Sequence, residues 1–401
     1  MDNLYKTVII GGGFSGLVAA CALGEAFGEK IAVAEGNDRV AKKILATGNG
    51  RCNLTNSAVS VRAYRADPIE FIGYALDNFD SEKLCEKFYS YGVPVIFEGN
   101  KGYPLSRQAS CVADALRFKC EDCGVKLFTD FKCDNVVKNA DGTFSVYSGK
   151  RELRGEKVLL ACGGAAGKAY GTDGSGYALA KSLGHTVTEV YPSLVQLKTQ
   201  TDKIRGLKGI KTEAEVTVLI DGKAAAKSRG DVLFTDYGVS GNAIFSVSPV
   251  ISGKKNAELV LSFVPEKSQT ELAEIIKNAI FALPYKDGDE VLGGIVNKRV
   301  ARAALKAADC GAEIRYAAKI AQTLKNFTLK VEGTLGFDCA QVTHGGVRLT
   351  EVNPITMESK KVKGLYFSGE ILDVDGDCGG FNLQWAFSSG SAAAEAIINE
   401  N

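Results

Sequence analysis

Apolar residues open the chain with a strand pattern, a glycine-rich turn and a helix pattern, in that order. Residues 7–10, Thr-Val-Ile-Ile, form the kind of β-branched and apolar run that is found in strands buried on both faces. The turn at residues 11–16 reads Gly-Gly-Gly-Phe-Ser-Gly, and a second apolar run at residues 31–34 ends at Glu35. The order of strand, glycine turn, helix, strand and acid predicts a complete dinucleotide-binding βαβ unit.

Each part of this unit has a physical task in holding an ADP group. Gly11 permits the tight turn out of the strand, Gly13 permits close approach of a pyrophosphate, and Gly16 permits close packing of the helix on the sheet. The helix N-terminus then presents free N–H groups to the phosphates. Glu35 lies roughly 20 residues further on, where a carboxylate accepts ribose hydroxyls and repels a 2′-phosphate. The residues predicted to bind the ADP moiety are Gly11, Gly12, Gly13, Phe14, Ser15, Gly16 and Glu35.

Helical and extended patterns alternate after this unit. A polar, glycine-rich stretch at residues 42–56 has neither period, and its length predicts a functional loop. Extended patterns predict a small antiparallel meander at residues 125–147 and a buried strand at residues 157–162 that rejoins the first sheet. Helices are predicted around residues 69–77, 81–91, 109–123 and 173–183.

The middle of the chain interrupts the nucleotide-binding pattern. Residues 193–264 have a period of two and predict a β-rich segment, with Ser240 as the expected cap of a short helix, whereas residues 268–327 are mostly helical. The late apolar strand near residues 364–370 needs a sheet to join, so the order predicts one domain split by an insertion. The predicted domains are a nucleotide-binding domain at 1–190 and 335–401, an inserted β-rich domain at 191–265 and an inserted helical domain at 266–334.

Composition narrows the class of partner. Basic and acidic residues nearly balance at 48 and 47 in a chain of 401, which counts against nucleic-acid or anionic-membrane partners and favours a small molecule. The 11 cysteines are scattered and odd in number, and no secretory leader precedes them, so we expect reduced thiols and a cytoplasmic protein. Cys120 and Cys123 form a single C-x-x-C without a second pair, so no metal site is predicted, and helix-end packing is favoured over redox use.

The end of the chain combines an acid after a strand with a glycine pair before a helix that is expected over about residues 380–399. Glu370, after Gly369, is placed to bond a ribityl hydroxyl, and the N–H groups that open the helix can face the N1/O2 edge of an isoalloxazine ring, where charge accumulates on reduction. An ordinary strand-turn-helix that closes the sheet is the alternative. The residues predicted to bind a flavin here are Gly369, Glu370, Phe381, Asn382 and Leu383.

Five further motifs give the chain its likeness to a known family. They are Gly-Asn-Gly-Arg-Cys-Asn-Leu-Thr-Asn at 48–56, Tyr-Pro-Leu-Ser at 103–106, Phe-Thr at 234–235 with Gly-Val-Ser-Gly at 238–241, Val-Thr-His-Gly-Gly-Val at 342–347 and the run from Asn353 to Glu370. With them the chain resembles the BaiN-type, aminoacetone-oxidase-like family of three-domain FAD-dependent oxidoreductases, over nearly its whole length. The resemblance implies an α/β fold, with a glutathione-reductase-like FAD-binding Rossmann domain, an inserted β-barrel-like lobe and a helical lobe. It also implies that FAD binds non-covalently.

The resemblance implies further cofactor contacts. Arg51 suits a phosphate or flavin-edge contact because its guanidinium donates in two directions, and a pairing with a loop carboxylate is the alternative. The implied adenine-contacting backbone lies in the meander strand, where Cys133 is the chosen position. Gly163, in the glycine turn after residues 157–162, is also predicted to bind the cofactor. The residues that the resemblance places along the flavin and its phosphates are Gly48, Arg51, Cys52 and Asn53.

Members of this family carry out different reactions, so the likeness leaves the substrate open. One reduces C=C bonds of oxidised bile-acid intermediates with a nicotinamide donor, and another oxidises aminoacetone with oxygen. No second G-x-G-x-x-G occurs, so NAD(P)H would dock transiently at the flavin. We expect hydride transfer between flavin N5 and a small or steroid-like substrate held between the FAD domain and the inserted lobes. Reduction of an activated C=C bond is favoured over amine oxidation by O2, which yields H2O2.

A third class, an FAD-binding RNA-modifying or regulatory protein, stays open, although the balanced charge counts against it. The chain has two histidines. His344, in the family's Val-Thr-x-Gly-Gly-Val turn, is the candidate proton donor, whereas His185 follows a helix-ending glycine and is expected at the surface or as a cap. Tyr103 and Cys378 are weaker candidates with a structural role favoured. The oligomeric state is left open.

Overall fold

The structure is a computed structural model, and it describes residues 4–400. The chain separates into two compact units: one runs up to Tyr191 and resumes at Val342, and the other is Pro192–Gln341. The strands are β1 (Leu4–Ile10), β2 (Ile31–Ala34), β3 (Thr55–Asn56), β4 (Tyr64–Ala66), β5 (Val95–Glu98), β6 (Lys101–Pro104), β7 (Lys126–Phe128), β8 (Asn135–Lys138), β9 (Phe144–Ser148), β10 (Arg151–Leu160), β11 (Tyr191–Ser193), β12 (Leu197–Thr199), β13 (Lys211–Ile220), β14 (Lys223–Phe234), β15 (Gly238–Ser240), β16 (Ala257–Ser262), β17 (Phe327–Thr334), β18 (Val342–His344), β19 (Leu365–Phe367) and β20 (Val374–Gly376). The helices are α1 (Phe14–Phe27), α2 (Gly73–Asn78), α3 (Ser81–Ser90), α4 (Ala109–Asp122), α5 (Ser175–Ser182), α6 (Asn242–Val247), α7 (Gln269–Ala282), α8 (Gly288–Val291), α9 (Lys298–Ala308), α10 (Ala317–Lys325) and α11 (Phe381–Asn399).

A seven-stranded sheet lies at the centre of the first unit, with the path β7-β2-β1-β10-β9-β8 and with β19 beside β10. Strand β1 pairs in parallel with β2 and β10, and β10 pairs in parallel with β19. The predicted βαβ unit and the return of the 157–162 strand to the first sheet are both confirmed. The strand is longer than predicted at its start, because residues 151–155 also pair antiparallel with β9.

Helices α1 and α11 pack closely on each other beside this sheet. An added Cβ at Gly390 would lie 2.7 Å from the carbonyl oxygen of Ser15, so glycine at this position lets the two helices approach. The indole of Trp385 in α11 is buried, and its Nε1–H donates to the Gly369 carbonyl at 3.2 Å. Both ends of the chain thereby build one core, and the helix predicted near 380–399 is confirmed over Phe381–Asn399.

The second unit contains a closed six-stranded barrel of order β12-β15-β14-β13-β16-β17 and the helices α6 to α10. The alternating burial of β13, in which Ala214, Val216 and Val218 point inward, explains the period of two seen in the sequence. Helices α7, α9 and α10 pack with the barrel strands in one apolar core. The predicted barrel-like and helical parts of the fold class are therefore present.

Two details of the second unit differ from the sequence predictions. Ser240 does not cap a helix: it ends β15, and Gly241 precedes α6 with a φ of +105° that favours glycine. Strand β17, which the sequence assigned to the helical segment, follows the helices and closes the barrel against β12 and β16. The division of the insertion into separate β-rich and helical domains stays a prediction.

Candidate functional site

The glycine-rich turn between β1 and α1 is shaped by two close backbone contacts and one open position. A Cβ on Gly11, where φ is +109°, would lie 2.4 Å from the Ala161 carbonyl oxygen, and a Cβ on Gly16 would lie 2.0 Å from the Gly11 carbonyl oxygen. A Cβ on Gly13 would meet no atom within 4 Å. Two glycines are thus required by packing within the protein, and Gly13 faces free space at the start of α1.

Glu35 is buried at the end of β2 and is bonded to the glycine turn. Its Oε2 accepts the Gly12 N–H at 2.8 Å, and its Oε1 accepts the backbone N–H and the side-chain Nδ2 of Asn37 at 2.8 and 2.6 Å. A carboxylate offers about four acceptor positions, so capacity remains for one ribose hydroxyl. The structure therefore gives Glu35 a second task, because the same carboxylate orders the turn.

Replacing Glu35 with alanine is expected to lower the free energy of unfolding of the first unit by about 1–3 kcal/mol, because the buried Gly12 N–H loses its acceptor. Glu35→Gln keeps one acceptor oxygen but turns an N–H group toward another donor, so an intermediate loss is expected. Trp385, the single tryptophan, lies in this unit, and its fluorescence during urea unfolding of the apoprotein measures the change. Equal stability of all three proteins would contradict this role.

The predicted functional loop after β2 is tightly folded. Gly48, Asn49 and Cys52 all have φ values near +57°, and a Cβ on Gly48 would lie 2.8 Å from the Asn53 backbone nitrogen. Cys52 is fully buried, and burial raises the pKa of its thiol to about 12. A neutral thiol therefore stands at this position at neutral pH.

Arg51 contacts a carboxylate and an aromatic ring. Its Nη1 lies 3.2 Å from Oε2 of Glu98 at the end of β5, and its guanidinium carbon lies 4.5 Å from the centre of the Tyr103 ring. Glu98 also accepts from Arg107 at 2.6 Å. Carboxylate pairing, which the sequence analysis kept as the alternative, is thus observed, and the contact of Arg51 with FAD stays a prediction.

Asn53 carries a buried acceptor that faces the start of α11. The Oδ1 atom of Asn53 has no hydrogen-bond partner within residues 4–400, and a Cβ on Gly380 would lie 2.8 Å from it. Gly380 has a φ of +99°, and its Cβ would also lie 2.3 Å from the Thr55 carbonyl oxygen. A buried, unpaired oxygen beside a helix N-terminus is the kind of group that a bound molecule satisfies.

Glu370 connects the end of the sheet with the loop after β2. Its Oε2 lies 2.8 Å from Lys43 Nζ, and its Oε1 accepts the Thr343 N–H at 3.0 Å. The hydroxyl of Thr343 accepts the N–H of Ala165 at 2.8 Å, in the turn that follows Gly163. Lys43 and Thr343 were missed in the sequence because their partners lie far along the chain.

Gly369 and the first turn of α11 are fixed by side chains around them. The Gly369 N–H donates to Ser389 Oγ at 2.9 Å, and a Cβ at Gly369 would lie 2.6 Å from Ser15 Oγ, in α1. The Asn382 side chain bonds both the N–H and the carbonyl of Gly376, at 2.8 and 2.9 Å. The N–H groups of Phe381, Asn382 and Leu383 are the first of the helix, and such groups have no helical carbonyl to bond.

The Cys133 prediction needs a correction in its placement. Cys133 lies in irregular chain between β7 and β8, and not in a strand, because the segment turns there to follow the end of β2. Its neighbour Phe131 donates its N–H to the Glu35 carbonyl at 2.8 Å. The segment is therefore close to Glu35, and the adenine contact of Cys133 stays a prediction.

His344 is part of a charged network. Its Nδ1 lies 2.6 Å from Oδ1 of Asp375, which is 1% exposed, and the other oxygen of Asp375 lies 2.8 Å from Arg65 Nε. The hydrogen bond with Asp375 raises the pKa of His344, against the opposing effect of burial. The sequence patterns indicated His344 but no role for Asp375 or Arg65.

His185 is not at the surface, so that half of the expectation was wrong. The cap position is observed, because the His185 backbone N–H donates to the Ala180 carbonyl at 3.0 Å at the end of α5. His185 is 4% exposed, and its Nε2 lies 2.8 Å from Ser359 Oγ; burial lowers its pKa.

Cys120 is buried with its Sγ 3.6 Å from Cys21 Sγ, and Cys123 is partly buried. Within residues 4–400, no group of three or more histidine, cysteine or acidic side chains is arranged to hold a metal ion. None of the helices in the same range is both long and apolar enough to cross a bilayer.

All the predicted site residues lie in the first unit, and pairs of them from distant parts of the chain are in contact. Glu35 bonds Gly12, Gly369 lies against Ser15, and Asn53 lies against Gly380. The open space at Gly13, the free N–H groups at two helix starts and the unpaired oxygen of Asn53 fit the pyrophosphate and the ring edge of FAD. The residues present therefore fit the implied cofactor.

Comparison with known proteins supports this assignment. The family model described as "HI0933-like protein Rossmann domain" matches residues 5–396. A "3-dehydro-bile acid delta(4,6)-reductase" of Clostridium scindens is 37% identical over 400 residues, with 97% of this chain and 98% of that protein covered. A "Ribosomal RNA dihydrouridine synthase" of Escherichia coli is 28% identical over 407 residues, with 98% of each chain covered.

Solved structures show a similar fold. The 3-ketosteroid delta1-dehydrogenase from Sterolibacterium denitrificans, solved with 1,4-androstadiene-3,17-dione, has a TM-score of 0.50 and 11% sequence identity, with all of both chains covered. At this identity the likeness concerns the fold alone. The predicted fold class, with its FAD-binding Rossmann part, is confirmed by the family match and by the barrel in the structure.

Proposed function

This chain belongs to the HI0933-like family of FAD-binding Rossmann proteins and is an FAD-dependent oxidoreductase, and we propose that it reduces an activated C=C bond with NAD(P)H as the electron donor. The substrate class is a small or steroid-like unsaturated carbonyl compound. The name of the 37% identical relative, a bile-acid reductase, supports this class. The observation that carries the proposal is the His344–Asp375 pair, because reducing a C=C bond requires a proton as well as a hydride.

The protein contributes binding and orientation around the cofactor. Gly11, Gly13 and the start of α1 would hold the pyrophosphate, and Glu35 would accept a ribose hydroxyl. Glu370 would bond the ribityl chain, and Asn53 with the first turn of α11 would bond the ring edge. When bound, reduced FAD supplies a hydride to the substrate.

His344 would supply the proton. Because Asp375 accepts from Nδ1, the other ring nitrogen, Nε2, is the one that can donate outward, and the raised pKa keeps the imidazole protonated over more of the neutral range. An amine oxidase needs the opposite, a base that takes a proton from the amine. The Asp375 carboxylate on Nδ1, together with the raised pKa of His344, suits a proton donor and so favours the reductase over the aminoacetone-like oxidase.

Reduction of uridine in RNA is the second candidate, because two full-length relatives are named ribosomal RNA dihydrouridine synthases. That reaction also saturates a C=C bond beside a carbonyl, so it would use the same proton donor. Identities of 28% and 27% support it less than 37% supports the bile-acid-like substrate. The balanced charge of the chain gives no further support for RNA.

Anaerobic rapid mixing tests the proposal. The FAD-loaded enzyme is reduced with NADH or NADPH, and the flavin spectrum is followed after addition of a 3-oxo-4,6-diene steroid, unmodified ribosomal RNA or air. Rapid reoxidation by the steroid, with a saturated product, is expected. Reoxidation by RNA alone would favour the second candidate, and rapid reoxidation by air with peroxide and no response to either acceptor would favour the oxidase.

A further inference from the structure

The strand pair β4–β20 brings a buried carboxylate and an arginine to the side of His344. Asp375 in β20 is the register partner of Arg65 in β4, and Arg65 Nε lies 2.8 Å from Oδ2 of Asp375. Arg65 also bonds Asp377 through Nη1 at 2.8 Å. Two carboxylates thus bind one guanidinium, and the position of Asp375 is fixed from one side.

The second oxygen of Asp375 faces His344. Its Oδ1 lies 2.6 Å from His344 Nδ1, and a carboxylate can only accept, so Nδ1 carries a hydrogen. This bond leaves Nε2 as the ring nitrogen that changes its protonation. The His344 side chain is 38% exposed, and Asp375 is 1% exposed, so solvent reaches the imidazole while the carboxylate is covered.

We propose that Asp375, fixed by Arg65, is a positioning residue that sets the tautomer and the charge of His344 and so makes it a proton donor at Nε2. The proposal deepens the proposed function, and its chemical step rests on that function. The tautomer and charge of His344 are properties of the protein itself, and they can be measured without turnover.

Three charged groups act directly on His344. Asp375 contributes most through its hydrogen bond, Asp373 adds attraction, and Arg65 opposes the imidazolium charge. Asp377 acts on His344 only indirectly, through its ion pair with Arg65. Burial would raise the pKa of Asp375, but His344 and Arg65 outweigh burial and lower it, so Asp375 stays ionised. The positive charge of Arg65 therefore disfavours the imidazolium of His344 directly. Arg65 also keeps Asp375 ionised, and this carboxylate stabilises the imidazolium.

Asp373 is the remaining group close to this network. Its Oδ2 accepts from Thr188 Oγ1 at 2.8 Å, and its pKa is raised, chiefly by burial and also by the nearby charges of Asp375 and Asp67. Asp373 thus contributes less negative charge than Asp375, and Asp375 is the group whose replacement isolates the effect.

The proposed step adds one proton from His344 and one hydride to the C=C bond of the substrate. The Nε2–H bond of the imidazolium breaks, and a C–H bond forms at the α-carbon of the unsaturated carbonyl compound, while the β-carbon receives the hydride from the cofactor reduced by NAD(P)H. His344 becomes neutral and keeps its Nδ1–H bonded to Asp375. Water then returns a proton to Nε2, because the ring is partly exposed.

Nuclear magnetic resonance of the two imidazoles tests the proposal directly in oxidised, FAD-loaded protein with ¹³C- and ¹⁵N-labelled histidine. His185→Gln and His344→Gln assign the two signals. In wild type, the ¹⁵N shifts of His344 above its transition are expected to show hydrogen on Nδ1. In Asp375→Asn, the pKa of His344 is expected to fall, because the carboxylate that stabilises the imidazolium is lost. The acid dissociation constant of His344 should rise by roughly tenfold or more. His185 should not change.

Controls separate this effect from a general loss of charge or structure. Asp236→Asn removes a carboxylate in the second unit that pairs with Lys208, and it should leave the His344 titration unchanged. Asp375→Glu keeps the charge and is expected to restore part of the shift. Hydrogen on Nε2 in neutral wild-type His344, or an unchanged titration in Asp375→Asn, would overturn the proposal. The tautomer measurement applies even if the Asp375→Asn protein does not fold.

The chemical step has its own readout. When reduced enzyme is mixed with the unsaturated substrate, the rate is expected to fall as the pH rises through the pKa of His344. Asp375→Asn should move that fall to lower pH by the same amount as the titration, with reduction by NAD(P)H unaffected. A titration that shifts while the rate profile stays would overturn the role of His344 as donor. Absence of any C=C substrate would count against the proposed function, and the imidazole measurements would still decide the role of Asp375.

Discussion

Replacement of His344 by glutamine is expected to slow the reoxidation of reduced enzyme by an unsaturated carbonyl substrate by roughly 10²- to 10⁴-fold, the usual contribution of a positioned acid. Glutamine can still accept or donate a hydrogen bond, but it cannot transfer a proton to carbon. The rate of the wild type should be highest at low pH and should fall as His344 loses its proton, and this dependence should be absent in the variant. Rapid mixing of the reduced enzyme with substrate at several pH values measures both effects.

Reduction of the enzyme by NAD(P)H is the internal control for this variant, because that half-reaction needs no proton from His344. Its rate and the FAD content should match the wild type. A decrease of less than about fivefold in the reoxidation rate, with a wild-type pH profile, would exclude His344 as the acid. Tyr103, whose pKa is raised chiefly by burial, would then be the next group to replace.

Replacement of Gly16 by alanine is expected to destabilise the first unit by about 1–3 kcal/mol or more and to abolish FAD retention. The new Cβ would lie 2.0 Å from the Gly11 carbonyl oxygen. The backbone of α1 fixes the position of this Cβ, and the oxygen is itself a backbone atom, so α1 must move away from the turn that follows β1. Thermal unfolding followed by Trp385 fluorescence measures the stability of this unit, and the absorbance of bound flavin measures retention.

Gly13→Ala is the matched comparison. The alanine Cβ would meet no protein atom within 4 Å, and Gly13 has a φ of −80°, which any residue adopts, so the apoprotein should be as stable as the wild type. The methyl group would occupy the space proposed for the pyrophosphate, so FAD affinity should fall strongly. Tight FAD binding by Gly13→Ala would place the phosphates elsewhere, and a stable Gly16→Ala would contradict the packing argument.

The sequence was most informative where one local pattern determines both structure and chemistry. The unit formed by β1, α1 and β2 was predicted because strand period, glycine spacing and the acid at Glu35 each constrain the same short segment. The position of the C-terminal helix was predicted to within a residue for the same reason, since the glycine pair before Phe381 marks its start. Periodicity also separated the β-rich from the helical part of the second unit.

Contacts between distant residues were beyond the sequence patterns. Arg65 and Asp375 are 310 positions apart, and only the pairing of β4 with β20 brings them together. Glu98, at the end of β5, pairs with Arg51, and no local sequence pattern predicts that these two residues meet. His185 follows a glycine that ends a helix, which resembles a surface turn, but the later segment around Ser359 covers it. Ser240 resembled a cap because serine is common at the N-cap of helices. In the structure Gly241 occupies that position before α6, and its positive φ favours glycine.

The split of the first unit determines when a newly made chain can capture its coenzyme. Strands β1 and β10 leave the ribosome before the second unit is made, whereas β19 and α11 are translated after it. Since domains fold as units during synthesis, the nascent polypeptide carries an incomplete nucleotide fold throughout translation of the barrel and its helices. We therefore expect the complete FAD site to form only after α11 has been made.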